Sequence, residues 1–476
     1  MPLESPSGPS GPRAPVLTLS MGHMVMPLLP LAPWPSRRRR STHLPIPGTA
    51  EGSLAATTRS GSSIRGIYMI ETREQLIHTL TEAAEIEHNL LCSYLYAVFS
   101  MKRAGEPGLD DAQGEAVERW RKTILKIALE EMAHLACVNN LLIAIGGAPH
   151  FDRSNFPVAP GYHPADVVVR LTPFDAATLD HFIFLERPEG MAMRDAEGFE
   201  PSGEEREVAI EGVTPSAQDY PTVGALYDSI ATGFCTLVEH LGESTLIDPA
   251  GRAQMDSELI KLPNIPRVTD LETALSAIRQ IKEEGEGSSG GEGVDSHFDR
   301  FRTIRAEWQA LHAVDPGFTP AWPAAHDPVM RRPIDPAERL WITEPEAAGH
   351  LDLANAIYGM MLSVLSQTFS IADAGEQRLL MRTSVELMEA SASISNTLAR
   401  LPANADRPGI NAGMTFAVPR NASYRPLEGR ARALFLERAR ELAARATQIL
   451  NGETAEKALR RLGNAIGLLD GSRLPD

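Results

Sequence analysis

The sequence predicts an all-α protein: a helical bundle, a second helical region behind it, and a disordered N-terminal tail. Three observations carry this prediction. Apolar residues recur at helical spacing through 72–102 and 113–145. Helix stops follow them, as at Gly146-Gly147 with Pro149 just beyond. Stretches rich in Pro, Gly and Ser divide one periodic segment from the next.

Residues 1–68 are rich in Pro, Ser, Gly and Arg and read as the tail, or as upstream sequence with the natural start near Met69. "MGHMVMPLLPLAPWPSRRRR" has its arginines after the apolar piece, the wrong order for a secretory signal. The main bundle is expected over 69–312. Its helices are 72–102, 113–145, about 220–243, Thr269 to about Glu284, and one starting near Asp295 and passing Trp308. Thr269 and Glu272 have capping-box spacing. Between the second and third, "DVVVRLTPFDAATLDHFIFLERPE" suggests a short extended piece and a short helix broken at Pro188, followed by an acidic loop over 190–215. "GEGSSGGEG" at 285–293 is loop. A Pro-rich connector covers 313–346, and a C-terminal helical domain covers 347–476, with helices near 347–372, 375–400, 427–450 and 453–469.

Charge and cysteine usage narrow the function classes. Residues 1–66 hold seven Arg and two Glu, so against an overall −17 the rest of the chain stands at −22. A body that acidic disfavours nucleic acid and anionic membrane and favours cations or neutral substrates. No run reaches the roughly 18 apolar residues of a membrane span, so neither nucleic acid nor membrane is an expected partner. Cys92, Cys137 and Cys235 are far apart and form no CxxC pair. That usage fits a reducing compartment, the cytoplasm.

The informative residues are polar ones on apolar stripes. With Glu87 at zero on a helical wheel, Leu76, Leu80, Ala83, Leu91, Tyr94 and Val98 fall within about 40° of it. Glu85 lies nearly opposite and His88 at the stripe's edge, so that pair is expected to look outward. Glu131 repeats the pattern: Trp120, Ile124, Leu135, Val138 and Leu142 lie within about 40°, and His134 about 60° away. An unpaired buried carboxylate costs several kcal/mol, so Glu131 needs hydrogen bonds, a countercharge or a metal. Glu131-x-x-His134 puts a carboxylate and an imidazole on adjacent turns, within reach of one ion. A Glu–His hydrogen bond in an ordinary core is the competing reading. His297 is a further inward imidazole, with Phe301, Ile304, Trp308 and Leu311 on its face, and Glu286 lies just upstream. The helix over 220–243 shows no inward carboxylate. Tyr94, Tyr96 and Tyr227 are candidates for electron relay or substrate contact, against the alternative of core packing.

The motifs "AAEIEHNLLCSYLYAVFS", "EEMAHLACVNNLLIAIGGAP", "FIFLERPE", "TVGALYDSI", "EEGEGSS…DSHFDRF" and "LPANADRPGINAGMTF" resemble those of the iminophenyl-pyruvate dimer synthase family, over about residues 69–450. The resemblance implies a ferritin-like helical bundle. It places Glu87, Glu131 and His134 on ligand positions, and Glu286 and His297 on the GEG and SHF positions. It implies oxidative coupling of aromatic 2-imino acids in specialised metabolism, a small-molecule substrate, a homo-oligomer, and haem as an alternative cofactor. Two departures stand out: the second ExxH of a full di-iron set is missing, and Ala225 stands where relatives often carry an acid. Carboxylate and imidazole ligands suit Fe or Mn, as one or two ions. The readings that follow are a metal-dependent oxidoreductase, a non-catalytic or ferrous-iron-oxidising metal-binding protein, and a helical protein whose buried polar groups merely hydrogen-bond.

Overall fold

The computed structural model describes residues 70–159, 161–164, 167–199, 219–285, 295–334, 339–427 and 429–473. The expected tail, 1–68, lies outside them. Twelve helices follow in chain order among the described residues: α1 (Arg73–Ser100), α2 (Asp111–Ala144), α3 (Ala176–Leu185), α4 (Val223–Leu241), α5 (Glu243–Leu246), α6 (Ser257–Ile260), α7 (Leu271–Gly285), α8 (His297–Val314), α9 (Pro345–Thr368), α10 (Ala374–Leu398), α11 (Ala431–Ile449) and α12 (Gly452–Asp470). The expected extended piece at 167–171 joins no strand there. It is held by Asp327, whose backbone N–H donates to Leu171 O and whose carboxylate accepts from Leu171 N, each at 2.8 Å.

Local chemistry sets the helix ends. Thr72 and Asp110 start α1 and α2 with complete capping boxes, each answered by a Gln three residues on. Gly146 stops α2 with φ of 83°, a left-handed turn that costs glycine no side-chain strain. Arg73, in the first turn of α1, donates to Ile145 O at 2.6 Å and to Thr245 O at 2.6 Å. The start of α1 therefore meets the end of α2, and the pair is antiparallel. The start of α7 corrects the sequence reading. Asp270 rather than Thr269 is the cap, accepting from Thr273 N at 2.8 Å while Thr273 Oγ1 accepts from Asp270 N at 3.1 Å.

α1 packs along α2; α4 lies against α1 and α7, and α8 against α2 and α3. Behind them α9 packs on α10 and α10 on α12, while α11 closes against α9 and α12. One hydrophobic core runs through both groups, from Leu80, Trp120 and Phe301 to Ile357, Leu387 and Leu462. By length and mean hydropathy α2 is the one described helix able to cross a membrane, which the sequence reading did not expect. It is the central bundle helix, and most of its apolar stretch is buried.

Segment 401–418 ties the groups together. Asn411 N donates to Pro323 O and Ala325 N to Asn411 O, while Asn355 on α9 accepts from Ala417 N. Gly413 sits so close to the Tyr96 ring that an added Cβ would overlap its hydroxyl. Glycine is required there by close approach rather than by backbone angle.

Candidate metal centre

Glu87 comes from the middle of α1, Glu131 and His134 from the middle of α2, and His297 from the first turn of α8. All four are buried, at 2% exposure or less. One ligand atom each from Glu87, Glu131 and His134 lie within 4.8 Å of one another. A second trio, Glu131, Glu186 and His297, meets the same limit. Glu131 belongs to both. Its Oε2 lies 3.1 Å from His134 Nδ1 and its Oε1 2.9 Å from His297 Nδ1. Glu87 Oε2 is 3.6 Å from His134 Nδ1, and Glu186 Oε1 is 3.6 Å from His297 Nδ1.

The sequence reading did not assign Glu186. It caps the C-terminus of α3, inside the quoted motif "FIFLERPE", where an acid is ordinary and gives no local signal. It supplies the carboxylate that α4 lacks: Val223, Gly224 and Tyr227 are what α4 turns toward the site. Glu286 lies outside the described residues. Glu284, two residues earlier on α7, accepts from His134 Nε2 at 3.0 Å. Of the tyrosines, Tyr227 donates to Glu87 Oε1 and Tyr94 to Glu186 Oε1. Tyr96 is turned away and donates to Ala325 O. Glu85 and His88 do not face solvent as expected. Glu85 holds His150 and Tyr162, and His88 is buried against Tyr358 on α9.

A layer of partners surrounds the trios. His297 Nε2 lies 3.2 Å from Glu130 Oε2, and Arg300 donates to the same oxygen at 2.6 Å. Carboxylates behind ligand imidazoles are the usual means of fixing ring orientation in metal sites. Burial, together with the neighbouring Glu131 charge, pushes the Glu87 carboxyl up to about 8. Burial acts the same way on Glu131, but His134 and His297 outweigh it and hold that carboxyl well below the usual range. Both imidazoles are held well above theirs: burial opposes their charge, and Glu131 overcomes it. Glu130 sits at about 2, its partial burial outweighed by His297 and Arg300.

The residues fit a metal. Neither ring nitrogen of His297 makes a hydrogen bond of acceptable geometry, although both are fully buried and close to carboxylates. Carboxylate oxygens and imidazole nitrogens converging in a buried pocket form a set a divalent ion completes. A cavity of about 20 Å³ lies among Glu87, Glu131, His134, Glu186 and Tyr227.

Residues 80–306 match the family model described as ferritin-like, the span that carries every one of these side chains. The chain carries a ferritin-like domain. Two curated proteins are similar beyond it. Dichlorochromopyrrolate synthase of Lentzea aerocolonigenes is 27% identical over 429 residues, covering 81% of this chain. The 2-imino-3-(indol-3-yl)propanoate dimerase of Chromobacterium violaceum is 26% identical over 352 residues, covering 67%. The chain spans 39% and 31% of their respective lengths. A solved ferritin-like protein from Caulobacter vibrioides aligns with a TM-score of 0.47 at 18% identity, over 74% of this chain and all of that one. The ferritin-like domain is thus shared with distant imino-acid dimer synthases, as the sequence motifs implied.

Proposed function

We propose that the ferritin-like domain holds two ions, iron or manganese, and serves a metal-dependent oxidoreductase. The observation that carries this is Glu131: each of its carboxylate oxygens faces a different buried imidazole, and a second carboxylate stands beside each. Glu87 and His134 would hold one ion, Glu186 and His297 the other, with Glu131 shared. This set replaces the expected second ExxH by a glutamate and a histidine from separate helices, α3 and α8. When bound, such ions supply redox equivalents for dioxygen or peroxide.

The chain's own side chains keep the set in place. Tyr227 and Tyr94 each occupy one oxygen of Glu87 and Glu186 by hydrogen bonding. Glu284 accepts from the outer nitrogen of His134, and Glu130 stands 3.2 Å from that of His297, so the Nδ1 atoms are directed at Glu131. Leu90, Leu185 and Ile281 line the rest of the cavity. By relation to the two curated proteins, the substrate is an aromatic 2-imino acid and the reaction its oxidative coupling.

A second reading, ferrous-ion binding and oxidation without an organic substrate, is favoured by the cavity itself. About 20 Å³ admits a water-sized molecule and not an indole ring. One experiment tests both. Metal content is measured after anaerobic loading of the protein and of a Glu131→Ala/His134→Ala variant, followed by product analysis with an aromatic 2-imino acid and peroxide. About two ions per chain in the parent, lost in the variant, with a coupled dimer formed, is expected. Metal bound and ferrous ion oxidised with no organic product would favour the second reading. No metal in either protein overturns both.

A further inference from the structure

On the face of α2 opposite Glu131, the helices do not close. Leu125, Leu129 and Met132 of α2 look across a cavity of about 550 Å³ at α9 and α10, with α1 forming its floor. That lies within the roughly 300–1,000 Å³ of small-molecule sites and is far larger than the voids a packed core tolerates. Its cause is legible in α10, which presents Ser384, Ser391, Ala392 and Ser395 where Leu-sized residues would fill the gap. Each of these serine hydroxyls donates to a backbone carbonyl: Ser384 to Met381 O, Ser391 to Ala354 O and Ser395 to Ser391 O. None of these hydroxyl protons is spare for a polar ligand, and most of the wall is apolar; Glu389 on α10 also lines it and is paired with Arg461.

The cavity is long rather than round. On α10 it runs from Met381 to Asn396, and on α2 from Arg121 to Ala136. At 1.5 Å per residue, either wall gives about 21–23 Å. The two ends differ in charge. At one, Arg121 is paired with Glu118 at 2.9 Å, which also lies 3.7 Å from Arg103. At the other, where α6 meets α10, Lys261 and Arg382 line the cavity and form no ion pair among the described residues. Two unpaired cations at the mouth of an apolar slot are unexpected in a chain of net charge −17.

We propose that this cavity binds a single-chain anionic amphiphile, a long-chain carboxylate, lying along α10 with its head between Lys261 and Arg382. Met132, Met361, Met381 and Met388 line the slot, and methionine adapts to a flexible chain without demanding one shape. The site shares α2 with the metal centre but none of its ligands, so it stands or falls separately from the function proposed above.

The test uses the full chain, delipidated and titrated with cis-parinaric acid, a fluorescent long-chain carboxylate. Saturable binding near one per chain is expected, displaced by palmitate and much less by hexadecanol, which has the chain without the charge. Arg382→Glu is expected to weaken binding by about tenfold or more, the scale of one charge-assisted contact. Ala392→Phe, which fills the slot, is expected to abolish it while metal content and melting temperature stay near the parent's. Absence of saturable binding overturns the proposal, as does binding that both variants leave intact. Equal displacement by hexadecanol overturns the anionic head. A concentration-dependent dimer that Leu129→Glu dissolves would assign the slot to a second copy of the chain instead.

Discussion

Two buried glutamates, Glu131 on α2 and Glu386 on α10, stand at 2% and 3% exposure in neighbouring helical layers, yet their surroundings differ in kind. Glu386 accepts from Arg461 and Asn464, each at 3.1 Å, so one cation and one amide satisfy it. Glu131 meets two imidazoles, with Glu87 and Glu186 beyond them, and no Arg or Lys among the described residues pairs with it. The first is a structural ion pair whose cation stays partly in water. The second is a cluster of carboxylates answered by two imidazoles and two tyrosine hydroxyls. A buried carboxylate is informative about function only through what answers its charge.

The sharpest way to break this contrast is to remove both acids. Glu131→Ala/His134→Ala is expected to lose all bound metal, read by elemental analysis, while Glu386→Ala keeps it in full. If Glu386→Ala lost metal as well, the two sites would not be different in kind. Glu131→Leu sharpens the point: without metal its melting temperature is expected to fall below the parent's, because two buried imidazoles lose the carboxylate they both face.

Next in size is Gly413→Ala, which drives a methyl into Tyr96. Denaturant unfolding is expected to show a loss of about 1–3 kcal/mol. The segment carrying Gly413 joins the two helical layers, so this loss should appear in one cooperative transition rather than in one layer alone. Glu386→Ala is expected to cost about 1–2 kcal/mol, limited because Arg461 is partly exposed and keeps its pair with Glu389.

Tyr227→Phe removes the hydrogen bond to Glu87 and leaves the ring. Metal affinity is expected to fall about tenfold with stability nearly unchanged, measured by competition with a chelator. Thr72→Ala, which removes the cap of α1 far from either carboxylate, is expected to cost about 1 kcal/mol and leave metal content untouched.

Much of this was legible in order along the chain. The helix period, the capping residues and the glycine stops of α1 and α2 are local, so their bounds follow from short windows. Glu87, Glu131, His134 and His297 could be singled out because a charged or imidazole group centred on an apolar stripe violates a local pattern. Glu186 breaks no such pattern, since it follows the last turn of α3, where polar residues are ordinary. Glu85 and His88 were misplaced because a wheel describes one helix, and their partners lie on the 150–163 loop and on α9.

The sequence by itself determined the helical class, most helix ends and four of the five proposed ligands, because backbone hydrogen bonding and amphipathic period depend on neighbours within a few residues. Only the tertiary structure decided that Glu131 turns one oxygen to each of two imidazoles and that Glu186 completes the second trio. It alone showed that α10 leaves a slot along α2. Those facts depend on the distances between helices far apart in the chain, which packing fixes and no single segment encodes.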